Sequence, residues 1–388
     1  MIPYGRQNIS QDDINAVVDV LKSDFLTQGH LVPLFERQVS SRVGSDFAIA
    51  VNSATSALHL ACMALDVGVG DEVWTSAITF VASANCALYC GATVDFIDIE
   101  PGTYNISIAS LTSKLDCAKK KNKLPKVIIP VHFAGQSCDM KALHDLGQIY
   151  GFKILEDASH ALGGTYHGKS IGSCAYSDIT VFSFHPVKII TTGEGGMATT
   201  NNLEYYKKML ATRQHGIIRA DSNQEIPQES GGWDYEQRML GFNYRMTDIQ
   251  AALGVTQLQR LNLFISQRKA VAFRYQAELD NLPIELPYIP LDDDSSSWHL
   301  YVIRLELDVI LKTRRQVFDY MRSQGVGVNV HYKPVYLHPY YVGLGFKKGI
   351  CPVAEAYYES ALTLPIHPLL SSSDQSMVIG HLQKAILS

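Results

Sequence analysis

Between residues 47 and 200, short apolar runs alternate with longer stretches whose apolar positions recur every three or four residues. Phe47 to Val51, Glu72 to Trp74, Thr93 to Ile97, Lys126 to Val131, Phe152 to Leu155, Ile179 to Phe184 and Met197 to Thr200 have the length and β-branched or aromatic content of buried strands. Phe80 to Tyr89, Ser110 to Lys120 and Met140 to Tyr150 have helical periodicity, and Asn52 to Leu60 reads as a strand-to-helix turn rich in small polar residues. Strand–helix alternation over this length predicts an α/β fold, a mainly parallel sheet with helices on both faces. In such sheets ligands bind beyond the carboxyl ends of the strands.

Outside this block, residues 11 to 22 predict a helix capped by Ser10, followed by a polar turn at Leu26 to Gly29. Residues 217 to 240 are polar and read as an excursion loop. Thr247 to Leu261 is amphipathic and continues into Ser266 to Leu279. Proline and aspartate between Leu282 and Ser297 mark the last turn before a smaller unit. There, strands at Trp298 to Leu305 and Val326 to Tyr332 surround a helix from Thr313 to Ser323. The expected division is a large domain over 1–262, with an N-terminal arm, and a smaller α+β domain over 263–388.

Composition narrows the function. The 388 residues are 46% hydrophobic and 18% charged, with a net charge of −5. That balance argues against nucleic acid or an anionic membrane as the main partner. No stretch has the length of a membrane span, and the N-terminus lacks the apolar core of a signal peptide. The seven cysteines are scattered; Cys86 and Cys90 lie one helical turn apart without a second pair at zinc-ligand spacing, so no metal site is expected. Buried free thiols in a reducing compartment, the cytoplasm, are the expectation.

The candidate chemistry sits at three predicted strand ends. Lys188 follows the strand at 179–184, past Pro186 and before Gly193-Glu194-Gly195-Gly196, where the chain turns sharply. Desolvation makes such a lysine a neutral nucleophile capable of Schiff-base formation, although a solvated turn lysine has the same local sequence. Asp157 closes an apolar strand, where a carboxylate needs a cationic partner. The turn at Asn52 to Ser56 offers amides and hydroxyls at a helix start, as an anion cradle or as an ordinary cap. Together they supply what pyridoxal 5′-phosphate requires: a phosphate cradle, a carboxylate for the pyridine nitrogen and a lysine for the aldehyde carbon. Phe80 is either a ring-stacking partner or a core aromatic.

Four motifs extend this picture: Asn52-Ser-Ala-Thr-Ser-Ala-Leu-His59, Glu156-Asp-Ala-Ser-His160, Ser183-Phe-His-Pro-Val-Lys188 with Gly193-Glu-Gly-Gly196, and Gly241-Phe-Asn-Tyr-Arg-Met-Thr-Asp-Ile-Gln-Ala-Ala-Leu-Gly254. Taken in order, they resemble the DegT/DnrJ/EryC1/StrS sugar aminotransferases, pyridoxal-phosphate enzymes of fold type I. The resemblance implies Lys188 as the Schiff-base lysine, Asp157 as partner of the pyridine nitrogen and His160 beside the ring. It implies phosphate contacts from Ala54, Thr55 and Ser183, and from Asn243 of a neighbouring subunit, hence a homodimer with shared active sites. On its residues alone, Asn243 passes as a loop residue.

The opening Ile2-Pro-Tyr-Gly-Arg6, the turn Leu26-Thr27-Gln28-Gly29 and the segment His331-Tyr332-Lys333-Pro334 are most similar to one subgroup. That subgroup aminates the C4 ketone of UDP-2-acetamido-2,6-dideoxy-β-L-arabino-hex-4-ulose. The resemblance implies that Tyr4, Leu26 to Gly29 and His331 to Pro334, with Ala54, Ser183 and Asn243, contact the nucleotide sugar, and that L-glutamate donates the amino group. Ala54 stands where many members have Gly, which suits this subgroup. Lys188 distinguishes the chain from dehydratase relatives that carry His at that position. Another 4-keto-6-deoxy sugar, a UDP-linked D-gluco epimer or a dTDP-hexose, fits the same motifs, and a non-catalytic cofactor-binding protein is the reading from another class.

Overall fold

The computed structural model describes residues 1–219, 233–290 and 294–387. The expected excursion at 217–240 and the proline-rich turn at 282–297 therefore lie partly outside the described residues. At the edges of the first, Ile217–Arg219 pairs antiparallel with Tyr235–Gln237.

Seven strands form the central sheet: β1 (Phe47–Val51), β2 (Glu72–Ser76), β3 (Thr93–Ile97), β4 (Val127–Ile129), β5 (Lys153–Asp157), β6 (Ile179–Ser183) and β7 (Gly196–Thr200). Their spatial order is β1-β7-β6-β5-β4-β2-β3, and of these strands β7 alone runs against the rest. The register sets Val51 and Ser183 both opposite Gly196, and Asp157 opposite Val181 on the neighbouring strand. Three strand ends are thereby brought to one edge of the sheet.

Period-2 alternation divides the sheet between two cores. Ile49, Val51, Ile179 and Val181 face the helix Ala54–Ala64, whereas Ala48, Ala50, Phe182 and Met197 face the helices Leu31–Val43 and Asp248–Gln259. The cover over the first face is completed by the helix Leu203–Thr212, whose Met209 is fully buried. The helices at 31–43 and 203–212 go beyond the sequence expectation, although Val32, Phe35, Val39 and Val43 of the first recur at helical spacing and are all buried. Helix starts follow local chemistry. Ser10 with Asp13, Thr247 with Gln250 and Thr313 with Gln316 form reciprocal capping boxes. Among the described residues no helix is long and apolar enough to cross a membrane.

A further core lies in the C-terminal part, where Tyr301–Leu305 pairs with Ile284–Glu285 on one side and Ala361–Leu364 on the other. The continuous helix Leu261–Leu279 joins the two regions, with Phe264 in one core and Tyr275 in the other. On it, the buried Arg268 donates to the carbonyls of Trp298, His299 and Ile366 at 3.1–3.3 Å. The strand expected at Val326 to Tyr332 is corrected: that segment makes isolated bridges, Ile2 with Val326 and Asn329 with Thr363, and no ladder. Its amides are taken elsewhere, since Gly327 N–H donates to Ile2 O at 2.7 Å and Val330 N–H to the Asn329 side chain at 2.8 Å. The N-terminal arm is thus stitched to the C-terminal unit, and Tyr4 O accepts from Ile366 N at 2.9 Å.

Candidate active site

At the shared strand edge lies a cavity of about 680 Å³. Its walls come from the helix start at Ser53 to Thr55, the segment Thr79 to Ala82, the ends of β5 and β6, and Asn329 to Lys333 with Tyr4. Lys188, Asp157, His160, Ala54, Thr55, Phe80, Ser183, Tyr4, His331, Tyr332 and Lys333 all line it.

The helix start is built for an anion. Ser53 caps the helix, its Oγ accepting from Ser56 N at 3.1 Å, so the first-turn amides of Ala54 and Thr55 stand at the positive end of the helix dipole. Gly196 lets this turn approach β7: a Cβ there would lie 2.5 Å from the Ser53 carbonyl. Asp157 is 4% exposed, and both its oxygens are engaged. Oδ1 accepts from Ser159 N at 3.1 Å and Oδ2 from Ser83 Oγ at 2.6 Å, with Thr79 Oγ1 a further 2.7 Å from Ser83 Oγ. Ser83 escaped the sequence reading because it sits in an alanine-rich helical run that looks purely structural, and Thr79 because it lies in the short connection before that helix.

Lys188 shows surface to the cavity, yet the protein packed around its amine makes desolvation the dominant effect. Burial lowers its pKa from 10.5 to about 8, against an opposing pull from Asp157. Around it stand three neutral imidazoles. His160 is held far below its ordinary range by burial first and by the Lys188 charge second. Its Nδ1 accepts from Ala134 N at 3.3 Å, which assigns the ring proton to Nε2, 3.2 Å from the Tyr332 hydroxyl. His299 packs on His160 with ring centroids 4.3 Å apart. Burial and Lys188 push His331 down to about 3; its Nδ1 lies 2.8 Å from Thr363 Oγ1, and the Tyr4 ring is 5.3 Å away. His299 was not singled out in the sequence, where nothing separates it from a core histidine.

Five of the expected residues plus one lie elsewhere. Leu26 to Gly29 pack against the start of the helix Asp248–Gln259, with Gly29 N–H donating to Asp248 at 2.7 Å and Leu26 O accepting from Asp248 N at 3.0 Å. Asn243 is exposed on the surface, bridged to Gln214. Pro334 follows the cavity wall without lining it. The pattern that points to Leu26–Gly29 and Asn243 is therefore not met within one protomer's own cavity.

The profile of the family described as DegT/DnrJ/EryC1/StrS aminotransferases matches residues 7–383. The chain belongs to this family. Its members are pyridoxal-phosphate-dependent sugar aminotransferases, and the mostly parallel sheet with flanking helices is theirs. Among curated relatives, the chain is 38% identical to the spore coat polysaccharide biosynthesis protein SpsC of Bacillus subtilis, over 97% of this chain and 95% of that one. It is 37% identical to the UDP-4-amino-4,6-dideoxy-N-acetyl-β-L-altrosamine transaminase of Campylobacter jejuni, over 97% and 96%. Among solved structures, Helicobacter pylori PseC, an aminotransferase involved in the biosynthesis of pseudoaminic acid, superposes with a TM-score of 0.90 at 32% identity, covering 100% and 99% of the two chains. Spr1654 from Streptococcus pneumoniae, in its PLP form, gives 0.88 at 32% identity, over 99% and 98%.

The residues present fit the cofactor on their own chemistry. A buried carboxylate faces a desolvated lysine across a cavity whose rim holds an uncapped pair of helix amides, beside a glycine whose place no side chain can take.

Proposed function

We propose that the chain transfers an amino group from L-glutamate to the C4 ketone of UDP-2-acetamido-2,6-dideoxy-β-L-arabino-hex-4-ulose, giving UDP-4-amino-4,6-dideoxy-N-acetyl-β-L-altrosamine for pseudaminic acid synthesis. The observation that carries this reading is one cavity lined both by Lys188 and Asp157 and by Tyr4, Tyr332, His331 and Lys333. The relatives named for that sugar support the substrate.

Bound pyridoxal 5′-phosphate supplies an electron sink conjugated to the reacting carbon. Lys188 would hold the cofactor through its neutral amine and would move the proton at the substrate carbon. Asp157 would keep the ring nitrogen protonated, with Ser83 fixing its Oδ2 for that task. Neutral His160 would lie beside the cofactor without competing for its charge, and Phe80, which lines the same cavity, would pack against it. Ala54, Thr55 and Ser183 hold the phosphate. Asn243 reaches the phosphate, and Leu26 to Gly29 the nucleotide sugar, from a second protomer of a homodimer. That role accounts for their exposure here, away from their own chain's cavity. Lys333 faces the diphosphate as a point charge, while Pro334 fixes the chain behind it.

The test presents the aminated holoenzyme with UDP- and dTDP-linked 4-keto sugars and identifies products by mass spectrometry and NMR. Conversion of the L-arabino UDP sugar is expected. Conversion of a different sugar alone would replace the substrate and keep the reaction class. Lys188→Ala is expected to abolish turnover with the fold intact, and transamination by that variant would refute the role of the lysine.

A further inference from the structure

On the face of β5 turned away from the cavity lies a buried polar cluster that this chemistry leaves unused. Glu156 and Asp157 are consecutive on the strand, so their side chains leave the sheet on opposite faces. Asp157 lines the cavity, whereas Glu156 does not and is 5% exposed. There the Glu156 carboxylate collects three donors. His132 Nε2 lies 2.6 Å from its Oε2, Thr180 Oγ1 donates to its Oε1 at 2.9 Å, and Ser177 Oγ donates to the same oxygen. Cys138 N–H donates to His132 Nδ1 at 3.1 Å, which leaves the Nε2 proton to face Glu156. The His132 side chain is fully buried. Burial pushes the Glu156 carboxyl up, and its donors, His132 foremost, more than reverse that.

This one carboxylate ties three neighbouring strands together a single residue before the site. His132 follows β4, Glu156 is on β5, and Thr180 stands opposite Glu156 on β6, the strand that leads to Ser183 and Lys188. The backbone repeats the tie, with Asp157 N–H donating to Pro130 O at 2.9 Å and His132 N–H to Asp157 O at 3.1 Å. From His132 the chain runs into Phe133, whose ring lies 6.2 Å from that of His160. Next comes Ala134, the donor to His160 Nδ1, at a φ of 57°. An alanine stays in that left-handed region only where its neighbours are firmly held. Here they are: His132 by Glu156, and Phe133 N–H by Asn105 Oδ1 at 2.9 Å.

We propose that Glu156, held by His132, is a positioning residue for the reaction, fixing the end of β5 that carries Asp157 and the loop that orients His160. The proposal rests on the reading of Asp157 as partner of the ring nitrogen. Glu156 itself touches neither cofactor nor substrate and acts through these two residues. Its own latitude is small, because a buried carboxylate engaged by donors from both neighbouring strands has no solvent to fall back on. Any change in its length or charge is therefore passed to the strand end it holds.

The experiment loads each variant with pyridoxal 5′-phosphate carrying an isotopically labelled ring nitrogen, whose NMR shift separates the protonated from the neutral ring. Asp157→Asn sets the full size of the change. Glu156→Gln, which removes the charge at constant size and leaves no unpaired ion behind, is expected to move the shift part-way to that limit. It is also expected to speed cofactor loss on dialysis about tenfold. Glu156→Asp, which keeps the charge and withdraws it by one methylene, is expected to act in the same direction. His132→Gln keeps a donor for Glu156 and is expected to stay close to the wild-type shift, whereas His132→Leu follows Glu156→Gln. Glu156 variants with a lower unfolding midpoint but the wild-type shift and cofactor retention would reveal a brace for the fold alone and overturn the proposal. An unchanged shift in Asp157→Asn would instead overturn the reading of Asp157, and the proposal with it.

Discussion

The lowered pKa of Lys188 makes the pH dependence of cofactor capture a direct test of the desolvated site. With its pKa at about 8, roughly one Lys188 amine in ten is neutral at pH 7, against about one in three thousand at 10.5. The folded chain therefore presents its nucleophile about 300-fold more often than an ordinary lysine at that pH. The apoenzyme, mixed with pyridoxal 5′-phosphate in a stopped-flow spectrometer from pH 6 to 10, reads this out as the rate at which the bound cofactor's visible absorbance appears. The rate constant is expected to rise about tenfold per pH unit below 8 and to level off above it. The same shift has a consequence for stability. Because the folded pKa lies below the unfolded one, the protonated lysine opposes folding below about pH 8, and apoenzyme stability gains as pH rises from about 8 to 10.5. Removing the Asp157 charge with Asp157→Asn moves the midpoint of capture lower still, since that carboxylate is what holds the proton on. A capture rate still climbing through pH 9.5 would show that the amine is not desolvated and refute the reasoning.

Ser83→Ala takes away the 2.6 Å hydrogen bond to a buried carboxylate. A bond to a charged group is worth about 1.5–3 kcal/mol, so urea unfolding of the apoenzyme should weaken by that amount; an unchanged midpoint would mean that water replaces the hydroxyl. Gly196→Ala drives a methyl to within 2.5 Å of the Ser53 backbone, and the cradle must shift. A loss of about 1–3 kcal/mol and poor cofactor retention by equilibrium dialysis are expected. Asp248→Ala frees the amides of Gly29 and Leu31 from bonds of 2.7 and 2.9 Å. Each is worth about 1.5–3 kcal/mol, and limited proteolysis near Leu26 should accelerate while the Lys188 cavity keeps its cofactor.

Much of this arrangement was legible before any coordinates. β1, β3 and the helix Met140–Tyr150 begin and end where the apolar pattern does, because their boundaries are marked by Gly, Asn or an acidic residue. The three strand ends could be paired from alternation alone, since a parallel sheet brings every carboxyl end to one edge. Val326 to Tyr332 misled because alternation records which side chains are buried, not whether the amides find a neighbouring strand. Here Asn329 and the N-terminal arm claim them. Ser83 and His299 were invisible for a different reason: each acts through a residue distant in sequence, Asp157 and His160, and no local spacing encodes such a partnership.

The seam between the two cores gives the site a mechanical character. His160 belongs to the loop after β5, whereas His299 and Tyr332, which flank it, belong to the C-terminal unit, and Arg268 clasps the carbonyl of His299 from the helix that joins the two. One wall of the cavity therefore comes from the sheet and its loops and the other from the C-terminal part of the chain. A ligand filling the space between them acts as a latch, and its binding energy adds to the force holding the two units together. Loss of the ligand should be felt first as loosening along that line, well before either core melts.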